Sequence, residues 1–238
     1  LCVYLQSQVS NTGNIVGGEA LVRWQHPQRG LVMPGAFIPI AEESDLIVDL
    51  GNWVLTHICH MLAREHMLIA PRRISVNISP RHFRQPTFVQ QIRNILAVTG
   101  ADPTRLKLEV TEGMLIDNIN DVVAKMNELN EIGVRFSLDD FGTGYSSLSY
   151  LKRLPIHEIK IDKTFVQDMT SDSNDASLVE TILSIAKHMN LLVVAEGVET
   201  AEQADFLNQR GQVIHQGYFF GKPEPEAAWL AKLKGLRS

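Results

Sequence analysis

The architecture of the chain is decided by the stretch Val134-Arg135-Phe136-Ser137-Leu138-Asp139-Asp140-Phe141-Gly142-Thr143-Gly144. A short apolar run ends there in two adjacent carboxylates, and a glycine-rich turn follows. Neighbouring acids repel each other, and a divalent cation reverses the sign of that cost. A solvated turn with a helix cap is the alternative, because Asp is also a good N-cap. The pair alone leaves both interpretations open.

Outward from this stretch, strand-like runs alternate with amphipathic segments. The strand-like runs are residues 3–9, 15–24, 74–78, 106–110, 135–138, 158–161, 191–195 and 213–220. The helical segments are 37–66, 88–98, 122–132, 147–153, 178–189, 201–210 and 227–233. Eight such units in 238 residues predict an α/β fold, a TIM-like (β/α)8 barrel. Because Asn11-Thr12-Gly13-Asn14 is typical of a hairpin turn, we expect an antiparallel first strand.

Composition excludes several classes of protein. The hydrophobic share of 45% and charged share of 21% exclude a wholly disordered chain. The formal net charge of -5 argues against a DNA or RNA duplex as partner, since duplex binding needs a basic face. Two cysteines, Cys2 and Cys59, favour a reducing compartment. No run of about 18 apolar residues occurs, so we expect no membrane contact by this domain.

Functional residues of α/β barrels gather at the C-terminal ends of the strands. Nearly every predicted strand carries an oxygen ligand or a charged group there. Each such group has an ordinary structural explanation by itself. Together they are costly, because strands enclosed by helices should be almost continuously apolar, unless the acids share a cation. Carboxylate and amide oxygens favour Mg²⁺ or Mn²⁺ over Zn²⁺, and two such ions are suited to in-line displacement at phosphorus.

Seven ordered segments carry a family resemblance. They are Glu19-Ala20-Leu21-Val22-Arg23-Trp24, Ser75-Val76-Asn77-Ile78-Ser79, Leu108-Glu109-Val110-Thr111-Glu112, the Asp139 to Leu148 loop, Ile159-Lys160-Ile161-Asp162, Ala195-Glu196-Gly197-Val198-Glu199 and Gln216-Gly217-Tyr218-Phe219-Phe220-Gly221-Lys222-Pro223. Over essentially the whole chain, this set resembles the EAL domains, the cyclic di-GMP phosphodiesterases. Departures are peripheral: Ser7 stands where the family usually has proline, and Gln212 where cysteine is common.

The resemblance implies two divalent cations, Mg²⁺ or Mn²⁺. The residues similar to the ligands of the first are Glu19, Asn77, Glu109 and Asp139. Those similar to the ligands of the second are Asp139, Asp140 and Glu196, so that Asp139 would bridge the two. Lys160 resembles the family's water-positioning lysine, and Glu196 competes with it as the proton acceptor. The implied catalytic set is therefore Lys160, Glu196 and Glu19.

The resemblance also implies a substrate-binding set and a loop-supporting set. The implied substrate-binding residues are Gln6, Leu21, Arg23, Asp162, Glu199 and Gln216. Within them, Gln6 and Arg23 match positions that hold the ligand's backbone, and Glu199 a position near guanine. Glu112 resembles the glutamate that braces the loop after Asp139, with Gly142 and Gly144 permitting its turn.

The activity implied by the resemblance is hydrolysis of cyclic di-GMP to linear 5′-pGpG. Residues 1–238 would form one EAL-type phosphodiesterase domain, excised from a larger multidomain signalling protein, since the first residue is Leu1 and not Met. The implied partners are cyclic di-GMP, a second copy in a homodimer, and upstream sensor or GGDEF-type domains. The implied location of the domain is the cytoplasm, and a membrane anchor elsewhere in the full-length protein is compatible with it.

Two alternatives stay open from the sequence. The domain could be a non-catalytic cyclic di-GMP receptor, although such receptors usually lose metal ligands and every expected ligand is here. It could also be a docking scaffold, since a fold does not confer a function. A zinc site at His57, Cys59 and His60 is disfavoured, because these residues lie in an apolar helical stretch.

Overall fold

Eight strands close into a barrel, and the first of them runs against the other seven. The computed structural model describes residues 1–69, 72–115, 118–143 and 148–236. Around the barrel the strands follow the order β1-β9-β8-β7-β6-β5-β4-β2, and β2 pairs with β1 to close it. The fold is thus the TIM-like barrel with an antiparallel first strand that the sequence predicts.

The first half of the chain begins with a hairpin and continues with strand-helix units. Its elements are β1 (Cys2–Val9), β2 (Ile15–His26), β3 (Gly30–Val32), α1 (Ile38–Glu42), α2 (Leu46–Arg64), α3 (His66–Ile69), β4 (Arg73–Asn77), α4 (Pro80–Phe83), α5 (Phe88–Thr99) and β5 (Leu106–Thr111). Helix α5 illustrates the local causes: Phe88, Ile92 and Leu96 share its buried face, and Gly100 ends it with a φ of 70°.

The second half repeats the unit four times and ends in a helix. Its elements are α6 (Ile119–Glu131), β6 (Arg135–Phe141), α7 (Leu148–Leu151), β7 (Glu158–Ile161), α8 (Lys163–Asp168), α9 (Ser173–Met189), β8 (Leu192–Ala195), α10 (Ala201–Asn208), β9 (Ile214–His215), β10 (Glu224–Pro225) and α11 (Glu226–Gly235). Short 3-10 turns at Pro34–Ala36, Pro103–Arg105 and Glu112–Leu115 complete the described elements.

The last barrel strand is shorter than the predicted run 213–220. Strand β9 stops at His215 because the chain then turns across the backbone of Val198. The Val198 N–H donates to Gln216 O at 3.1 Å, and the Phe219 N–H donates to Val198 O at 3.1 Å. The short strands β3 and β10, which the sequence does not reveal, pair with β2 and β1 respectively.

The apolar core lies between the barrel and its helices. Strand residues such as Phe136 and Ile159 are fully buried there, together with Met126 of α6 and Trp229 of α11. The Trp229 indole N–H donates to Ser7 Oγ at 2.9 Å. Ser7 stands where proline is usual in the family that the sequence resembles. Its hydroxyl therefore satisfies the buried indole N–H of the terminal helix.

The interior of the barrel is polar. Lys107 Nζ of β5 donates to Gln8 Oε1 of β1 at 3.4 Å, and these strands are not neighbours in the sheet, so the contact crosses the barrel. Lys107 Nζ also lies 2.5 Å from Glu158 Oε1, to which Ser137 Oγ donates at 2.9 Å. A buried lysine and glutamate thus pair in place of the branched apolar side chains usual in such barrels.

Among the described residues, helix α2 is long and apolar enough to cross a membrane by length and composition. This corrects the expectation that the chain has no apolar segment of that length. The apolar face of α2 is packed inside the fold, with Val54, Leu55 and Ile58 among its buried residues. The core helix of a globular domain passes the same test.

Gly217 tests how tightly the last turn is packed. A Cβ at this position would lie 2.1 Å from Val198 O and 2.3 Å from Val198 N. Because both are backbone atoms, we expect Gly217→Ala to lower the free energy of unfolding by about 3 kcal/mol. At Gly211 a Cβ would meet nothing within 4 Å, so Gly211→Ala should stay within about 0.5 kcal/mol of wild type. Urea unfolding measures both, and equal stabilities of the two variants would contradict this packing.

Candidate active site

Asp139 and Asp140 owe their convergence to an irregularity in β6. The pairing of β6 with β7 shifts register between Leu138 and Phe141, so the two carboxylate residues oppose one residue of β7. Asp140 has a φ of 54°, in the left-handed region that is uncommon for residues other than glycine. Such bulges re-aim side chains next to functional sites. The bulge therefore turns two consecutive acids towards the same end of the barrel.

Lys160 is the centre of the acidic cluster. Its Nζ lies 2.7 Å from Glu109 Oε2, 2.6 Å from Glu196 Oε1, 3.1 Å from Asp139 Oδ1 and 3.5 Å from Glu19 Oε2. The lysine is 1% exposed. Burial by itself would lower its pKa, but the charges of the surrounding glutamates outweigh burial and raise the pKa well above its ordinary value. Lys160 is therefore a permanent cation in this arrangement.

Glu19 is held by hydrogen bonds on both carboxylate oxygens. Asn77 Nδ2 donates to Oε1 at 2.7 Å, and Gln216 Nε2 donates to Oε2 at 2.5 Å. Burial opposes ionisation of Glu19, yet the charge of Lys160 and these hydrogen bonds outweigh it and lower the pKa of the carboxyl. Glu19 is consequently fixed in its ionised form.

Glu109 and Glu196 behave in the opposite way. Burial, with the charges of Glu19 and Asp139, raises the pKa of Glu109 well above its usual range despite Lys160. The same causes raise the pKa of Glu196 to about 7. One lysine cannot neutralise four carboxylates, so the cluster takes up protons when no other cation is bound.

The donor set fits a divalent metal centre. One ligand oxygen from each of Asp139, Asp140 and Glu196 lies within 4.8 Å of the others. Glu109 Oε1 is buried and has no hydrogen-bond partner in the described part of the chain. Carboxylate oxygens suit hard cations such as Mg²⁺ and Mn²⁺. The cluster thus has both the ligand type and the excess negative charge that such a cation requires.

A cavity of about 320 Å³ opens beside the cluster. It is bounded by four residues of the predicted substrate-binding set, namely Gln6, Leu21, Glu199 and Gln216, and by the cluster members Glu19 and Glu196. Gln6 Nε2 donates to Gly221 O at 3.0 Å, and Gln216 Nε2 also donates to Gln6 Oε1 at 3.3 Å. The cavity therefore has a hydrogen-bonded wall.

Two residues of the predicted substrate-binding set lie outside the lining of this cavity. Arg23 is buried, donates from Nη1 to Val22 O at 2.9 Å and lies 5.7 Å from the centre of the Tyr4 ring. Asp162 caps α8, accepting a hydrogen bond from the Thr164 N–H at 2.9 Å and another from its hydroxyl. Hydrogen bonds with Thr164 lower the pKa of Asp162 against the effect of burial.

The predicted loop support is only partly described. Both carboxylate oxygens of Glu112 are buried without a hydrogen-bond partner among the described residues. Gly142 has a φ of 98°, and a Cβ there would lie 3.1 Å from the Phe165 ring. Gly144 and the remainder of the predicted loop up to residue 147 lie outside the described residues.

Sequence reasoning missed part of the cavity wall. Lys163 and Gln167, on α8, and Tyr218, after β9, also line the cavity, and all three are exposed. Lys163 directly follows the predicted Asp162, and Tyr218 lies within the quoted Gln216 to Pro223 segment. Their proximity to predicted residues is the only sequence signal that could have found them.

Comparison with known proteins gives one family. The family model described as "EAL domain" matches residues 1–223. MucR of Pseudomonas aeruginosa, named a bifunctional diguanylate cyclase/cyclic di-GMP phosphodiesterase, is 42% identical over 234 residues, covering 97% of this chain and 34% of MucR. NbdA of the same species, named a cyclic di-GMP phosphodiesterase, is 40% identical over 220 residues, covering 92% of this chain and 28% of NbdA.

Solved structures share the fold. The PaMucR phosphodiesterase in its c-di-GMP complex superposes with a TM-score of 0.91 and 41% identity, covering 95% of this chain and 93% of that one. The chain spans about a third of the length of the curated relatives that it matches.

Replacing Lys160 tests its role as the common counter-ion. We expect Lys160→Met to lower the free energy of unfolding by about 3–5 kcal/mol at about pH 8 in chelator, because four carboxylates, three of them buried, lose their cation. Carboxyls with folded-state pKa values above 4.5 bind more protons folded than unfolded, so stability falls as the pH rises through that window. The deficit of the variant should accordingly shrink towards about pH 5.

Urea unfolding at the two pH values measures this deficit. Lys152→Met, at an exposed position, is the control and should resemble wild type at both. A Lys160→Met deficit that is independent of pH would contradict the counter-ion role.

Proposed function

The chain belongs to the EAL domain family, and on that premise we propose that it hydrolyses cyclic di-GMP to linear 5′-pGpG. One observation carries the proposal: Lys160 and four carboxylates meet beside a cavity at the C-terminal face of the barrel. The carboxylates come from three further strands, β2, β5 and β6, and from the residue directly after β8, as the distributed active sites of such barrels do. The names of MucR and NbdA, which include cyclic di-GMP phosphodiesterase, support the same activity.

Two divalent cations, Mg²⁺ or Mn²⁺, complete the proposed centre. Glu19, Asn77, Glu109 and Asp139 would hold one, and Asp139, Asp140 and Glu196 the other. When bound, such cations supply Lewis acidity, which makes water a better nucleophile at neutral pH and stabilises charge at phosphorus. The grouping of Asp139, Asp140 and Glu196 supports the second set, and the unpartnered Glu109 Oε1 supports the first.

The chain's own groups would position the substrate and move the proton. Glu196, whose pKa is raised to about 7, would accept the proton, and the Lys160 ammonium, 2.6 Å from Glu196 Oε1, would orient that carboxylate. The hydrogen bonds from Gln216 and Asn77 would keep Glu19 ionised and oriented as a ligand. The positive charge of Lys160 would also stabilise negative charge that develops on the phosphate oxygens.

The cavity would receive one half of the substrate. Its volume of about 320 Å³ lies at the lower end of the range for ligand sites, so the rest of cyclic di-GMP would extend over the open rim. Gln6, Leu21, Glu199 and Gln216 bound the cavity directly. Arg23, which is buried with its guanidinium 5.7 Å from the centre of the Tyr4 ring, would meet a phosphate at the edge of the cavity. Asp162 would act through Asp140, with which it shares a hydrogen bond.

The proposal extends to the setting of the domain. The curated relatives are about three times as long as the chain. We therefore propose that residues 1–238 are one domain of a cytoplasmic signalling protein with further sensor or GGDEF-type domains. A homodimer is proposed with it, in which Glu112 and Gly142 support the loop at the interface.

Loss of a proposed metal ligand tests the activity. Glu19→Ala and Asp139→Ala should each reduce turnover of cyclic di-GMP with Mg²⁺ or Mn²⁺ by at least about a hundredfold, because stabilisation worth several kcal/mol is lost. Chromatographic detection of pGpG measures this. Asp205→Ala, an exposed acid on α10, is the control and should retain wild-type turnover. Binding of cyclic di-GMP by the wild type without any pGpG would favour a receptor instead.

Asp140 tests the division of ligands between the two cations. Asp139→Asn should weaken binding at both sites, whereas Asp140→Asn should chiefly weaken one, because Asp140 belongs only to the second set. Titration calorimetry with Mn²⁺ resolves the two sites, with Asp205→Asn as the matched control. Equal weakening of both sites by Asp140→Asn would refute the assignment.

A further inference from the structure

A second cavity lies at the opposite end of the barrel. Its volume is about 550 Å³, and the N-terminal ends of the parallel strands form its wall. The polar side chains on that wall are Gln8, Arg73, Lys107, Arg135, His157 and Glu158, with Asn190 at its edge. This end of a TIM-like barrel usually serves stability, so a cavity of ligand size there requires a separate explanation.

The cavity carries an excess of positive charge in an acidic chain. Glu158 is the only acid on its described wall, and it is already paired with Lys107 at 2.5 Å. Arg73 Nε donates a hydrogen bond to Thr104 O at 3.0 Å, and its two terminal nitrogens remain available to a ligand. The Arg135 side chain makes neither a hydrogen bond nor an ion pair to any described residue, and only its backbone pairs, with β5. Two guanidinium groups therefore face the cavity without an anion.

His157 adds a third group to this pair. Its Nδ1 is buried and has no hydrogen-bond partner in the described part of the protein. Burial lowers the pKa of His157, and the charges of Arg135 and Arg73 lower it further. Arg73 and Arg135 are thus both close enough to His157 to disfavour its charged form, and a bound anion would offset their effect.

We propose that this cavity, at the N-terminal mouth of the barrel, binds a small organic phosphate. Arg73 and Arg135 would hold the phosphate, because paired guanidinium donors match its geometry. In the tautomer that carries a proton on Nδ1, His157 would donate a further hydrogen bond to it. Met189, Leu191, Leu192 and Ile214 contribute apolar side chains to the same lining. A ligand with a phosphate head and a flat aromatic group matches this mixed lining, and a nucleoside monophosphate has both. The site does not depend on the proposed hydrolysis.

Titration calorimetry of the metal-free protein tests the site with three probes: adenosine 5′-monophosphate, inorganic phosphate and adenosine. We expect the nucleotide to bind more tightly than phosphate, and adenosine not to bind. Arg135→Gln and Arg73→Gln should each weaken nucleotide binding by about tenfold or more, since each removes charge-assisted hydrogen bonds.

Two control variants locate the binding. Arg23→Gln, at the other end of the barrel, and Arg93→Gln, at a surface ion pair with Glu128, should leave nucleotide affinity unchanged. Arg135→Gln should also keep the wild-type melting temperature and, without added nucleotide, wild-type turnover. The proposal is overturned if the wild type binds no phosphate-bearing probe at millimolar concentration. Equal affinity of Arg135→Gln and wild type, or loss of binding only in Arg23→Gln, would overturn it as well.

A readout on the wild type keeps the test decisive if the arginine variants do not fold. The ring resonances of His157 should shift on addition of the nucleotide, whereas those of His57, on α2, should not. Unchanged His157 resonances at a nucleotide concentration that saturates the calorimetric signal would place the binding elsewhere and reject the proposal.

Discussion

The Lys160 ammonium is the charge on which the acidic end of the barrel depends. It pairs with Glu19, Glu109, Asp139 and Glu196, and the lysine itself is almost completely removed from solvent. Bringing any one of these charges out of water is unfavourable, and their mutual attraction, with the hydrogen bonds to Glu19, offsets that cost. The balance is incomplete, because four acids face one lysine. Burial and the neighbouring acids therefore raise the pKa values of Glu109 and Glu196. The excess of negative charge also favours binding of further cations.

Further hydrogen bonds and an ion pair connect the polar side chains along the barrel axis. Gln216 joins Glu19 to Gln8, whose Nε2 donates to Gln216 Oε1 at 3.0 Å, and Gln8 in turn accepts from Lys107. Lys107 and Glu158 then neutralise each other near the N-terminal mouth. Because these interior side chains are polar, their burial removes little apolar surface from water. The hydrophobic stabilisation therefore comes from the layer between strands and helices, where Phe136 and Trp229 are fully buried.

Local irregularities in the backbone set the geometry of the site. The bulge at Asp139 and Asp140 places two acids where a regular strand would direct them to opposite faces. The antiparallel β1 has the complementary effect, because its interior residues Gln6 and Gln8 approach from a strand of reversed direction. After β9, the turn over Val198 brings Gln216 to Glu19 and Tyr218 to the cavity. Backbone hydrogen bonds to Val198 hold the turn after β9, whereas in the bulge the Asp139 carboxylate accepts a hydrogen bond from the Asp140 N–H at 3.0 Å.

The sequence by itself determined the barrel, the hairpin start and the concentration of carboxylate and amide oxygens at the rim. Strand and helix periodicity is local, and acids at the ends of buried strands are visible without coordinates. Tertiary structure alone decided which oxygens meet. Asn77 reaches Glu19 across 58 residues, and Lys160 reaches it across 141, distances in sequence at which no pattern specifies a contact. It likewise decided that Arg23 and Asp162 lie outside the cavity lining while Lys163 and Tyr218 lie within it. The basic cavity at the other mouth is a product of tertiary structure too, because Arg73, Arg135 and His157 come together only when β4, β5, β6 and β7 pair side by side.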